Sequence, residues 1–431
     1  MRIKVLLIFF LTFSSSLWAA AKIEHWQTEH GSRVYYVHTQ NLPLVDITVG
    51  FDAGSIRDGD KHGLAALTAA MLDTGAGRWN ADDIAKRFES VGAQFGSSAS
   101  VEMASLSLRS LTEKPLFDKA VTTLKTILSQ PTFNPVDFQR EQKRTLAALK
   151  HREESPGAVA NLAFMKALYH DHPYAYPSLG YRETVAQLTP QDLRDFYQRY
   201  YLANNAIIVI VGDLNRSQAQ QLASSLSAAL PTGQKLEPIP DVPMPKIGSM
   251  QHIPFPSTQT HILAGLPGSA RKDPDYFPLY VGNHILGGSG LVSRLFKEVR
   301  EKRGLAYSAY SYFSPMARKG PFIMGLQTRN DQTQKALQVM KNTLSDFIRN
   351  GPSEEELIAA KKNITGGFVM RFDTNRKLSQ YVTMIGFYQL PLNYLETFQD
   401  RVNAVTTEAI KDAFSRRINP ALLQIVTVGG Q

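Results

Sequence analysis

Two histidines at i and i+4 share one face of a helix, and with a nearby carboxylate they can grip a zinc ion. This chain has 10 histidines and no cysteine, so a metal centre here would rest on histidine and carboxylate alone. The stretches that come near such a site fail on spacing. His25-Trp26-Gln27-Thr28-Glu29-His30 sets its histidines one residue too far apart and runs into Gly31-Ser32, which reads as a hairpin turn. On a helix, i and i+5 diverge by about 140°, and on a strand they point to opposite faces. His170-Asp171-His172 stands before Pro173 and reads as a loop at a helix boundary. His62 has no companion ligand on its face, and His284, with Tyr280 and Asn283 beside it, reads as a satisfied core residue of an apolar helix. Leu286-Gly287-Gly288-Ser289-Gly290 is glycine-rich, but no Lys-Ser/Thr pair follows it, so it is no phosphate loop. Close backbone approach or a hinge is its expected role. Serine, histidine and aspartate show no spacing specific to a nucleophilic triad.

The elements that would position any site come in duplicate. Val45-Asp46-Ile47-Thr48-Val49 leads to Gly54-Ser55-Ile56-Arg57 and an apolar helix to Leu72. After 214 residues, Thr260-His261-Ile262-Leu263-Ala264 leads to Gly268-Ser269-Ala270-Arg271 and a helix to Leu286. A second pair agrees: 185–212 aligns with 402–429 without gaps, at an offset of 217, with Val185, Thr189, Asp195, Arg199, Val209, Val211 and Gly212 recurring. Each copy reads as a helix that opens at a threonine cap (Thr189, Thr406) and runs into a closing strand. Prolines at 231, 238, 240, 243 and 245 make the stretch between the halves an extended, semi-rigid linker. Helical stretches are expected at Phe117 to Leu128, Pro135 to Arg152, Gln334 to Arg349 and Ser353 to Phe368, the last opening on the capping box Ser353-Glu354-Glu355-Glu356. The pattern predicts an α+β fold of two homologous domains, each a largely antiparallel sheet covered by helices.

On these residues the chain resembles the inverted zinc peptidases, which include pitrilysin, insulysin and the mitochondrial processing peptidase, over nearly its whole mature length. In active members the first apolar helix carries H-x-x-E-H, two zinc ligands around a water-activating glutamate, and a later charged helix adds a third ligand, a Glu. The matching segment here is Gly63-Leu64-Ala65-Ala66-Leu67-Thr68-Ala69-Ala70-Met71-Leu72, with Ala66, Ala69 and Ala70 at the positions of His, Glu and His. On the later helix, Arg140-Glu141-Gln142-Lys143-Arg144 leads to Ala148 at the third-ligand position. A second family motif is present. Active single-chain relatives supply an Arg and a Tyr from their second half to hold the substrate carbonyl at the zinc, and Arg300-Glu301-Lys302-Arg303-Gly304-Leu305-Ala306-Tyr307 matches that spacing. A helix from Ser293 to Gly304, then a strand from Ala306, would set a guanidinium at a helix end and a phenol at a strand start. Both can donate to one carbonyl oxygen as it becomes negative.

The resemblance implies a non-catalytic, substrate-binding subunit forming half of a clamshell chamber. Zinc is expected in a partner, a homologous subunit with an intact H-x-x-E-H motif, and the substrate is expected to be a peptide or unfolded polypeptide. No catalytic or metal-binding residue is expected in this chain, and Arg300 and Tyr307 are its expected substrate-binding residues. The alternative is a structural or peptide-holding chaperone protein of the same fold with no part in proteolysis.

Composition bounds these readings. At 431 residues, 43% hydrophobic and 20% charged, the chain is globular and long enough for two sizeable cores. Arg2 and Lys4, an apolar run from Val5 to Phe13, Ser14-Ser15-Ser16 and Trp18-Ala19-Ala20-Ala21 read as a secretory signal peptide over 1–21. The run is too short to span about 30 Å of hydrocarbon, so no integral membrane segment is expected in the mature chain. A periplasmic location follows, and the lack of cysteine agrees with a core that needs no disulfide. The full chain carries a net charge of +9; removing the two cations of the leader leaves +7. No basic cluster interleaved with aromatics points to nucleic acid. The expected domains are 22–232, a linker at 233–248, and 249–431.

Overall fold

In the first half, alternating and apolar runs form β1 (Glu24–Gln27), β2 (Arg33–His38), β3 (Leu44–Phe51), a small hairpin of β4 (Gly75–Ala76) and β5 (Trp79–Asn80), then β6 (Gln94–Ala99), β7 (Ala104–Leu111) and β8 (Ala206–Gly212). The second half forms β9 (Ser249–Ile253), β10 (Gln259–Pro267), β11 (Ala306–Phe313), β12 (Pro321–Arg329) and β13 (Gln424–Val428). This is a computed structural model, and it describes residues 22–40 and 42–430; the signal-peptide reading of 1–21 lies outside the described residues.

The duplication is reproduced in strand order. The first sheet runs β1-β2-β8-β3-β7-β6 and the second β11-β12-β10-β13-β9, so the second repeats the first without β1. Each sheet is antiparallel except for one pair, β2 with β8 and β9 with β13, in which the closing strand lies parallel to the first strand of the repeat. Thr189 and Thr406 both cap the helix before that closing strand, Thr189 accepting from the Asp192 N–H and Thr406 from the Ala409 N–H.

The second face of each sheet is covered from the other half. β8 is Ala-Ile-Ile-Val-Ile-Val-Gly, buried throughout, as a strand covered on both faces must be. Ile208 and Ile210 point into a core built from first-half residues, whereas Ile207, Val209 and Val211 point with Tyr35 into the second-half core that contains Leu378, Val382 and Ile385. Those three residues belong to the helix Asn375–Phe387, which packs on β2, β3 and β8. Reciprocally, the helix Pro156–Tyr169 packs on β10 and β13, placing Ala160, Phe164 and Leu168 against Leu263, Val426 and Val428. Glycine makes room at both contacts: a Cβ on Gly386 would stand 2.7 Å from the Tyr35 ring, and one on Gly265 3.0 Å from Phe164.

The expected helices are present at Lys114–Ser129, Pro135–Glu153, Thr333–Asn350 and Glu354–Gly366, and the last has its Ser353/Glu356 capping box. Two differ from expectation. The apolar helix of the first half ends at Ala70 rather than Leu72, and its counterpart is regular only over Tyr276–Asn283 before widening into a π-turn at His284–Gly288. The helix expected from Ser293 to Gly304 is a single turn, Arg294–Phe296, followed by π-winding over Lys297–Glu301. Both wide turns abut β11, and Gly287 sits so close to that strand that a Cβ would meet Ser311 at 2.4 Å. An extra residue per turn lets the backbone follow the strand that closely.

Candidate functional site

The helix Leu64–Ala70 holds the positions where metal ligands are expected. It is too short to be stable by itself, and its start is built by neighbours. The buried Asp58 carboxylate accepts the Gly63 N–H at 2.7 Å and the Ala65 N–H at 2.8 Å, filling the role of an N-cap from outside the helix. Burial raises its pKa to about 7, against the opposing pull of those N–H donors. Gly63 enters the helix with φ +100° against Gly180, whose own φ is +75° and where a Cβ would lie 2.1 Å from the His62 carbonyl. Ala69 is buried, Ala66 half-buried and Ala70 exposed. The helix packs on Pro135–Glu153, which carries Ala148 on its exposed side. Among the described residues no three His, Cys, Asp or Glu side chains converge as a metal site.

His25, His62 and His172 are engaged in local packing and capping. His25 lies on β1, bonded through Nδ1 to the Val34 carbonyl and stacked on Tyr35. His62 stacks on Tyr176, and His172 caps the turn Pro173–Ala175 by accepting the Tyr174 N–H. His284 is half-buried, and burial followed by the charge of Arg371 holds its pKa below the ordinary imidazole value.

Arg300 and Tyr307 are brought into contact. Ser293 caps the helical segment, and the Arg294 guanidinium grips Glu356 through Nε at 2.8 Å and Nη2 at 2.6 Å, tying that segment to the capping box of the helix Glu354–Gly366. The segment stops at Gly304, φ +60°, where the Gly304 N–H returns to the Arg300 carbonyl and the Leu305 N–H to that of Val299. The chain then enters β11, an edge strand, and the Asn283 side chain exchanges two hydrogen bonds with Ser311 that pin β11 to the end of the helix Tyr276–Asn283. The result stacks the Arg300 guanidinium between two rings, 4.4 Å from the centroid of Tyr307 and 4.9 Å from that of Phe296. Of the other basic residues of this turn, Lys302 and Arg303 both pair with Glu298, whereas Lys297 has no ion pair among the described residues. Those partners, Lys302 first, hold the Glu298 carboxyl below the usual carboxylate range. Arg300 has no ion pair among the described residues, and Tyr307 is 81% exposed. Leu291 and Val292 of the glycine-rich turn are exposed beside β11, as are Tyr310 and Tyr312 along it.

One buried carboxylate escaped the reading of the residues. Glu102, in the turn between β6 and β7, is 3% exposed and accepts hydrogen bonds from the Tyr174 hydroxyl, from the Tyr388 hydroxyl at 2.8 Å and from the Ala317 N–H at 3.0 Å. Burial raises its pKa, the donors opposing. A glutamate between Val101 and Met103 has no local pattern that announces a buried partner set; three donors from distant segments make it one.

Two repeated α+β halves, each a sheet covered by helices, define a two-domain peptidase-like scaffold. Comparison with known proteins agrees. Residues 33–181 match the family described as insulinase (peptidase family M16), and residues 187–364 match the peptidase M16 inactive domain. The chain is 28% identical over 384 residues to a non-peptidase homolog, YmxG, of Helicobacter pylori, covering 88% of this chain and 87% of that one. It superposes on a peptidase M16 inactive domain from Pseudomonas fluorescens with a TM-score of 0.92 and 38% identity, covering 95% of this chain and 98% of that one. It shares the fold of the periplasmic protease PqqL of Escherichia coli, with a TM-score of 0.81 and 15% identity, covering 96% of this chain but 46% of that one. The chain belongs to the M16 peptidase family, as an inactive member. Among the described residues no helix is long and apolar enough to cross a membrane.

Proposed function

We propose that the mature chain is the non-catalytic, substrate-binding subunit of a periplasmic, heterodimeric zinc metallopeptidase acting on peptides or unfolded polypeptides. Zinc and the H-x-x-E-H motif belong to the homologous partner, and this chain supplies Arg300 and Tyr307. The observation that carries the reading is the state of that pair. A structural arginine in a basic turn finds a carboxylate, as Arg294 and Arg303 do, yet Arg300 rests only on aromatic rings and Tyr307 stands in solvent. Two free donors side by side can share one carbonyl oxygen that is gaining negative charge. The exposed apolar side chains around them suit a face that meets another chain. The fold's coverage of about half of PqqL supports a chain that supplies half of a chamber.

The test is co-expression with a homologue that carries the intact motif. A heterodimer is expected by size exclusion with mass measurement, with peptidase activity that neither chain shows alone. In that complex Arg300→Ala should lower kcat/KM by roughly ten- to a thousand-fold, the range for losing one oxyanion-type donor. Tyr307→Phe, which removes only the hydroxyl, should do likewise, and the double change should fall short of the product of the two. Full activity of both variants in an intact complex would make the pair structural and favour the scaffold or chaperone reading.

A further inference from the structure

The duplication places the same arginine in both halves, and the two have opposite fates. Arg57, closing Gly54-Ser55-Ile56-Arg57, holds the Asp52 carboxylate side-on, Nε to one oxygen at 2.9 Å and Nη2 to the other at 2.6 Å, while its Nη1 bonds the Glu237 carbonyl of the linker. Arg271 closes Gly268-Ser269-Ala270-Arg271, and 214 residues after Asp52 its repeat has Leu266, fully buried. The carboxylate is missing. Arg271 stacks on the Tyr388 ring at 5.2 Å, and among the described residues its side chain has no ion pair and its buried Nε has no hydrogen-bond partner.

Arg271 lines a cavity of about 410 Å³ at the seam where the first half, the second half and the linker meet. Arg33, Lys235 and Lys272 line it too, and none of them forms an ion pair among the described residues. Arg33 donates to the Gly386 carbonyl at 3.0 Å. The cavity's lone acid, Asp52, is already held by Arg57. Phe387 and Tyr388 form an apolar wall. Unpaired guanidinium groups in a partly dry cleft favour an anion, and the planar fork fits a carboxylate best when two N–H groups meet two oxygens. Arg57 shows that fit within the same chain.

We propose that this seam is a carboxylate-binding site, in which Arg271 and Arg33 take the carboxylate of a small organic acid or of a peptide's C-terminal residue while Phe387 and Tyr388 take its apolar side chain. The ligand supplies from outside what Asp52 supplies within the first half. The site is independent of Arg300, Tyr307 and any partner subunit, so it stands or falls separately from the proposed function.

Calorimetric titration of the isolated mature chain tests it with three probes: N-acetyl-phenylalanine, a five-residue peptide ending in phenylalanine with a free carboxylate, and the same peptide as its C-terminal amide. A free acid should bind, and the amide should bind at least about ten-fold more weakly, as expected for losing a charge-assisted pair. Binding of the acetylated amino acid alone identifies a small acid as the ligand; binding of the free-acid peptide identifies a chain terminus. Arg271→Met should weaken the free acid at least about ten-fold. Should that variant fail to fold, Lys235→Ala with Lys272→Ala, both at exposed positions, should weaken it several-fold and flatten its salt dependence. No binding of either free acid at about 10 mM, equal affinity for acid and amide, or a folded Arg271→Met chain that binds as before would each overturn the proposal.

Discussion

Alanine has no lone pair to offer a metal, so what the chain can bind is settled at a few side chains. With Ala66, Ala70 and Ala148 where the family resemblance places the ligands, the purified mature chain should retain well under one zinc per chain after dialysis, and it should cleave no peptide alone. Metal analysis and peptide digests on one sample check both. Reinstating the ligands sharpens the test, because the two helices concerned are in contact and Ala70 and Ala148 are exposed enough to accept longer side chains. Ala66→His, Ala70→His and Ala148→Glu together should bring one zinc per chain, and failure would mean that the third ligand position is misplaced along its helix.

Seven residues, Leu64–Ala70, make an element that its surroundings must hold. Asp58 does so from outside by accepting two N–H groups that otherwise have no acceptor. Asp58→Ala leaves both buried and unpaired, and should cost about 2–4 kcal/mol, read as a fall in the denaturation midpoint at unchanged slope. The segment bearing Arg300 is held differently, by an ion pair at its start and a left-handed glycine at its end, so the guanidinium itself is free of structural duty.

At the scale of the whole molecule each half completes the other. Without the helix Asn375–Phe387, the face of β8 made by Ile207, Val209 and Val211 would open to water, at about 1.5–3 kcal/mol for each large aliphatic side chain. Residues 22–232 expressed alone should therefore lack a cooperative thermal transition, whereas the full mature chain should show one. Glu102 ties the same seam, with Tyr388 and Ala317 reaching it from the second half. Its pKa is raised by burial, and a carboxyl that holds its proton more tightly when folded stabilises the fold at low pH. That contribution is full below the ordinary carboxylate range and is lost as pH rises through that range towards the folded pKa. Asp58 acts in the same direction up to about 7. Denaturation midpoints should fall between about pH 4.5 and pH 7.5, and Glu102→Gln, which keeps an acceptor and can donate to a tyrosine oxygen, should make the fall shallower. Equal slopes would show that the Glu102 proton takes no part.

Much of this was open to inspection in the residues. Repeated spacings declare two like halves, and threonine caps mark where the closing helices begin. Such features are local, and local physics writes them as periodicity, caps and residue type. Other features depend on which surfaces meet. The largely apolar Pro156–Tyr169 helix does not announce that the second sheet covers it, because hydrophobicity has no direction. Glu102 reads as a surface loop glutamate until three distant donors close around it. Arg57 and Arg271 stand in matching motifs, and only the folded seam shows that one has its carboxylate and the other faces a cavity without one.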